Sequence, residues 1–209
     1  MSTDAVGARR RGRSTRPTGD DRENAILATA EKLLETRPLR EISIDDLARG
    51  AGISRPTFYF YFRSKDAVLL ALLERVVDEA DSSALDMMEE SRGDAPQAWR
   101  ACINVFYETF SSHRAVALAI ASARETNPAV RELWSSVMDR WVDRIAAVIE
   151  SERARGAAPP GRPARDLAVA LNLMNERMLH AAFAGERPMV PESEVVDVLL
   201  EIWLAAIYR

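Results

Sequence analysis

The sequence predicts an all-α fold of about nine helices, and three observations carry that expectation. Apolar residues recur at helical spacing over long windows, most cleanly at Val130, Trp134, Val137, Met138, Trp141, Ile145, Val148 and Ile149. No segment alternates apolar and polar residues for long enough to be a strand. Helix punctuation is dense: Ser43 with Asp46, Ser54 with Pro56, Asn127 with Pro128, and Gly185 after a long apolar run. A chain of 209 residues suffices for one substantial domain or two smaller ones sharing an interface.

Residues 1–19 hold Arg9, Arg10, Arg11, Arg13 and Arg16 among Gly, Ser, Thr and Pro, with nothing to build a core. A disordered basic arm is expected, serving either as a solubilising tail or as a follower of the phosphate backbone or minor groove. Asp20 or Asp21 should cap a first helix that buries Ile26, Ala30, Leu33 and Leu34 and ends near Arg37-Pro38. Ser43 and Asp46 resemble a capping box for a helix from Ile44, which Gly50 and Gly52 should stop by taking left-handed backbone. Ser54 caps a second short helix with Pro56 in its first turn. Ser64 starts a long third helix through Val68, Leu69, Leu72, Leu73, Val76 and Val77 to about Met88.

Arg92-Gly93-Asp94 reads as a break. A helix from near Pro96 carries Trp99, Ile103, Phe106 and Phe110, and His113 to about Ala123 makes a shorter one. Asn127-Pro128 opens the striped helix, and Gly156 to Pro163 is a proline-rich loop. The last two helices should run from about Ala164 to Ala184 and from Pro191 to Tyr208. Both are apolar on more than one side. One has Leu167, Leu171, Met174 and Met178 beside Ala168, Asn172, Asn175 and Leu179. The other has Val195, Val198, Leu199 and Ile202 beside Val196, Leu200, Trp203 and Ile207. A surface helix needs one apolar stripe, so the second must meet something else, and a two-fold four-helix interface between copies fits.

Two short helices around a glycine-containing turn make a helix-turn-helix, here about residues 44–63. Phe58 and Phe62 are four apart and should face inward with Leu47 and Ile53. Ser54, Arg55, Thr57, Tyr59, Tyr61 and Lys65 offer hydroxyls and cations suited to phosphates and a base edge in a major groove, the alternative being a merely solvated surface. Charge supports the first reading. Residues 1–65 hold 13 Lys/Arg against 9 Asp/Glu, leaving 15 against 23 for the remainder of a chain whose net charge is −4. One basic end on an acidic body confines polyanion binding to one face.

The runs Ile42-Ser43 through Leu47-Ala48, Ala51-Gly52-Ile53-Ser54, Thr57-Phe58-Tyr59-Phe60-Tyr61-Phe62 and Ser64-Lys65-Asp66-Ala67 resemble the signature of the tetracycline-repressor (TetR) family, over about a fifth of the chain. Residues 55–62, Ile103-Asn104-Val105-Phe106 and residues 170–177 look closer still to one repressor of that family, a likeness spanning most of residues 16–208. The resemblance implies a DNA-binding domain over 20–81 and a ligand-binding and dimerisation domain over 82–209. It also implies an aromatic tunnel in the second domain, with Trp99, Phe106, Phe110, Trp134, Met138, Trp141, Asn172, Asn175 and Trp203 at matching positions. Arg144, Ile145 and His180 depart from the side chains expected around that tunnel, so ligand choice is not carried over. A one-component repressor follows. It binds double-stranded operator DNA as a homodimer through its last two helices, is released by a small hydrophobic effector, and controls a neighbouring monooxygenase gene.

The residues themselves point the same way. Asn172 and Asn175 are amides on an otherwise apolar helix, costly to bury without partners, and a mostly apolar pocket with few polar groups is the usual form of a small-molecule site. Ile103 and Leu179 complete the candidate lining, with Ala168 as a small residue open to enlargement. Two alternatives remain: the aromatics are simply core in a DNA-binding architectural protein without an effector, or an enzyme has borrowed the fold. No Gly-rich phosphate loop, nucleophile elbow or metal-spaced cluster favours catalysis, and no cofactor is expected. Cys102 is the only cysteine and sits in an apolar stretch, more in keeping with a buried small residue than a nucleophile. The longest apolar run, Ala115 to Ala123, is too short to span a bilayer, and no secretory signal opens the chain. A cytoplasmic location away from any membrane is expected.

Overall fold

The structure, a computed structural model, describes residues 18–90 and 94–209. The arginines of the basic arm and the Arg92-Gly93 part of the expected break lie outside the described residues. Among the described residues there are nine α-helices, one 3-10 turn and no strand.

The first helix, α1 (Gly19–Leu34), begins upstream of the aspartates expected to cap it. The Thr18 hydroxyl accepts from the Asp21 N–H at 3.2 Å, and the Asp21 carboxylate takes the Thr18 N–H at 2.8 Å. A reciprocal box satisfies two orphan backbone donors where a lone aspartate satisfies one, which moves the boundary to Thr18. A 3-10 turn at Leu39–Glu41, with no local signature in the sequence, leads into α2 (Ile44–Gly50). Here the Ser43–Asp46 box forms as read, at 3.1 Å and 3.0 Å. The next helix, α3 (Arg55–Tyr61), is capped by Ser54, whose hydroxyl accepts from the Thr57 N–H at 3.3 Å.

The two glycines between α2 and α3 serve different ends. Gly52 takes the left-handed backbone at φ 67°, as expected. Gly50 does not: it ends α2 in ordinary helical backbone, and its role is close approach to α1. A Cβ at Gly50 would sit 2.2 Å from Thr29 Cγ2. Thr29 cannot turn away freely, because its hydroxyl donates to the Ala25 carbonyl at 2.7 Å. Ile26, Leu47, Phe58, Phe62 and Val68 fill the core of this three-helix unit.

The long helix α4 (Lys65–Glu90) leaves that unit and enters the body. There it packs most extensively against α5 (Ala95–Ser112) and also against α6 (Arg114–Thr126) and α7 (Pro128–Ala154). α8 (Ala164–Ala184) lies along α7 and stops at Gly185 with φ 66°. α9 (Val195–Tyr208) packs on α5 and α8. It starts later than Pro191, because Glu194 N–H bonds to the Pro191 carbonyl at 2.9 Å and closes a turn first.

Gly50→Ala is expected to lower stability by about 1–3 kcal/mol, overpacking outweighing the alanine's better helix propensity. Thr29→Ser removes the clashing methyl and should recover most of that loss in the double variant. Chemical denaturation of the four proteins checks both.

Candidate functional site

Two regions collect the residues singled out by the sequence. The first is α3 with its flanks. Ser54, Arg55 and Tyr59 are exposed there, while Thr57 and Tyr61 are half-buried. The Thr57 hydroxyl lies 2.8 Å from that of Ser54, and Tyr61 packs against the core. Arg55 donates to the Asp45 carboxylate of α2 at 3.0 Å. The Tyr59 hydroxyl and then the Asp45 charge push the Arg55 pKa up from its ordinary value. A guanidinium held by one half-exposed carboxylate stays available for exchange with a stronger anion.

Lys65, expected at a phosphate, is half-buried and engaged by backbone carbonyls. Its ammonium donates to the carbonyls of Leu39, Arg40 and Ile42 at 2.7, 3.0 and 3.2 Å. Three N–H donors meet three acceptors around the 3-10 turn, so this side chain clamps the start of α4 to the segment before α2. Phe60, which residue type does not distinguish from Phe58 and Phe62, is 87% exposed.

The second region is a pair of adjoining chambers in the body. The larger encloses about 740 Å³, its open mouth included, between α5, α6, α7 and α8. The smaller, about 400 Å³ with the open space at its mouth included, is a narrow cleft that reaches from α5 and α7 toward α4 and α9. Phe106, Trp141, Asn172 and Asn175 line both and form the partition. Phe110, Trp134, Met138 and Leu179 line the larger chamber, and Ile103 and Trp203 the smaller. Trp99 lines neither. Its ring packs against Trp203 at 5.2 Å and its indole N–H donates to the Tyr208 hydroxyl at 3.0 Å, one layer behind the wall. Ala168 is likewise fully buried and faces no chamber; Ala117 and Ala121 of α6 are the small wall residues.

Hydrogen bonds fix much of the lining. Trp203 donates to Asn175 Oδ1 at 2.9 Å, and Asn172 Nδ2 donates back to the Ala168 carbonyl at 2.8 Å. Asn172 Oδ1 and Asn175 Nδ2 have no protein partner among the described residues. Trp141 donates to Asp81 of α4 at 2.8 Å, and Arg144 donates to the same oxygen at 3.1 Å. At the larger chamber Arg124 pairs with Glu176 at 2.5 Å and lies 4.9 Å from the Trp134 ring centre. Arg124, Glu176, His180 and Phe183 also line it, with Leu118 and Ile120 of α6; the type and spacing of Arg124 and Glu176 do not separate them from an ordinary helix surface. Cys102 and Arg144 line the smaller chamber. Burial pushes the Cys102 thiol up to about 11, leaving it protonated and unreactive.

The bacterial regulatory protein tetR family matches residues 26–72, and the family described as the C-terminal domain of transcriptional regulator EthR matches residues 99–209. The chain is 62% identical over 201 residues to the HTH-type transcriptional regulator EthR of Mycobacterium tuberculosis, covering 95% of this chain and 93% of that one. It is 53% identical over 196 residues to EthR of Mycolicibacterium smegmatis, covering 94% and 90%. Its fold is similar to that of a TetR transcription regulator from Haloarcula marismortui, with a TM-score of 0.73 at 14% identity over 90% of this chain and 97% of that one.

Lys65→Met should lower stability by about 1–3 kcal/mol, because it strands three carbonyls of a partly buried turn. Arg55→Ala, at an exposed site, should stay within about 0.5 kcal/mol of the parent. Thermal unfolding of the two variants separates the structural cation from the exposed one.

Proposed function

This chain belongs to the TetR family of transcriptional regulators, and from that premise we propose that it represses transcription as a homodimer released from operator DNA by a small, mainly apolar ligand. The observation that carries the ligand step is the bond from Trp141 to Asp81. Trp141 stands in the partition between the chambers, and Asp81 belongs to the helix that starts at the end of the DNA-binding unit. A ligand that occupies both chambers displaces or re-orients that partition, and the change is felt by α4 through a short, charge-assisted bond. His113, at the junction of α5 and α6, adds a second tie: it bonds to Glu31 of α1 and lies 3.3 Å from Glu79 of α4.

Repression needs two α3 helices spaced to meet successive major grooves, about 34–36 Å apart. A ligand that prefers a different α4 position shifts the dimer away from that spacing by as much as its differential affinity allows. The free ends of Asn172 Oδ1 and Asn175 Nδ2 suit a ligand carrying an amide, ester or similar donor–acceptor group within an apolar body. Dimerisation through α8 and α9 is supported by Leu173 and Ile202, large apolar residues 52% and 39% exposed on these two helices. Leu199 is fully buried in the protomer and belongs to its core. The family resemblance supports a neighbouring monooxygenase gene as the target.

A thermal-shift screen of hydrophobic amides and esters, followed by operator anisotropy on DNA from upstream of the protein's own gene, tests the scheme. Ligands that raise the melting temperature should weaken operator binding about 5- to 150-fold. Asp81→Ala should keep much of the thermal shift while losing most of the effect on DNA. Stabilising ligands that leave operator affinity unchanged would refute the regulatory role. Ala121→Phe fills the larger chamber and should lower operator affinity without ligand. Leu173→Asp with Ile202→Asp should give monomer in light scattering.

A further inference from the structure

The outward arc of α3 has two columns at i, i+4 spacing. Arg55 and Tyr59 form a polar one. Pro56 and Phe60 form an apolar one beside it, and all four residues are exposed. Phe60 is the most exposed large hydrophobic residue among those described, at 87%, whereas Phe58 and Phe62 of the same aromatic run are buried. Tyr59 leans on Phe58 with ring centres 5.8 Å apart; Phe60 has no aromatic partner among the described residues. The fold therefore holds a phenyl ring out from a short, well-capped helix, next to the groups suited to phosphates and base edges.

In a major groove, phosphates and most base-edge atoms are polar and offer nothing to a phenyl ring. The exception is the C5-methyl group of thymine, which each A·T pair projects into that groove. We propose that Phe60, with Pro56 beside it, forms a methyl-reading site that selects a thymine at one position of each operator half-site. This rests on the reading of α3 as the DNA-contacting helix and goes beyond it by assigning base selection to an apolar side chain. Phe60 carries no charge to exchange with counterions, so its contribution is independent of salt, unlike that of Arg55.

Deoxyuridine pairs as thymine does but lacks the methyl group, which permits a direct test. Operator duplexes with each thymine replaced in turn by deoxyuridine are titrated with the full-length parent and Phe60→Ala proteins by anisotropy. At one thymine per half-site, removal of the methyl should weaken the parent about four-fold, the worth of one buried methyl-sized group. Phe60→Ala should bind the thymine and deoxyuridine duplexes equally at that position, with an unchanged salt slope and an unchanged melting temperature. Phe60→Leu should keep part of the discrimination. A parent indifferent to every replacement, or a Phe60→Ala protein that still discriminates, overturns the assignment while leaving DNA binding intact. A parent that binds no DNA sequence specifically overturns the underlying reading as well. If Phe60 instead meets another protein, Phe60→Ala matches the parent on every duplex, and the assignment is again overturned.

Discussion

The packing of α4 against the three-helix unit at one end and the body at the other, through one continuous core, is the constraint on which the rest of the molecule depends. Its 26 residues span roughly 39 Å at the helical rise. Val68, Leu69 and Leu72 at one end and Val76, Val77 and Ala80 further along are all buried. A close-packed interface resists gradual deformation, so movement at one end of such a rod has to be accommodated at the other. The Lys65 clamp reinforces this at the DNA-binding end, fastening the first turn of α4 to three carbonyls around the 3-10 turn. At the body end Asp81 receives Trp141 and Arg144.

The chambers are defined by polar ties as much as by apolar area. Three of the four tryptophans donate their indole N–H to a named partner: Trp99 to Tyr208, Trp141 to Asp81 and Trp203 to Asn175. Each tie sets ring orientation in a way that dispersion alone would leave loose. The fourth, Trp134, has no partner for its buried N–H among the described residues. It meets Phe110 and Trp141 edge-on at 6.2 and 5.9 Å, beneath the Arg124 guanidinium. The space between these rings persists because the helices carrying them are anchored elsewhere, on Ile149, Val130, Leu199 and other fully packed residues. The cavity is thus a property of the scaffold, and the polar ties set the orientation of the rings around it.

The surfaces left over follow from the same arrangement. α8 and α9 bury Leu171, Leu179, Leu199 and Trp203 inward and retain Leu173 and Ile202 outside. α3 buries Phe58 and retains Phe60. In both places a helix with more apolar residues than one core can take presents the surplus at a position the fold holds rigid. For a helix of one chain this is a cost in water, compensated when a partner covers it.

By itself the sequence determined what is local. Helix number, the Ser43–Asp46 and Ser54 caps, the left-handed turn at Gly52 and the inward set of Phe58 and Phe62 depend on neighbours within about four residues, and such rules read directly along the chain. The aromatic stripes of α5 and α7 likewise named one side of the chamber wall, Phe106, Phe110, Trp134, Met138 and Trp141, but not the side that α6 supplies. Tertiary structure alone decided what depends on distant partners. Gly50 is required by Thr29 of another helix rather than by its own backbone, and Lys65 meets three carbonyls around a 3-10 turn with no sequence signature. Trp99 is withdrawn behind Trp203, Ala168 is sealed in the core, and Asp81 is brought to Trp141 from 60 positions away. Residue type and spacing state which face of a helix is apolar; only the meeting of helices states which of those residues find a partner, and among the described residues Phe60 is left exposed.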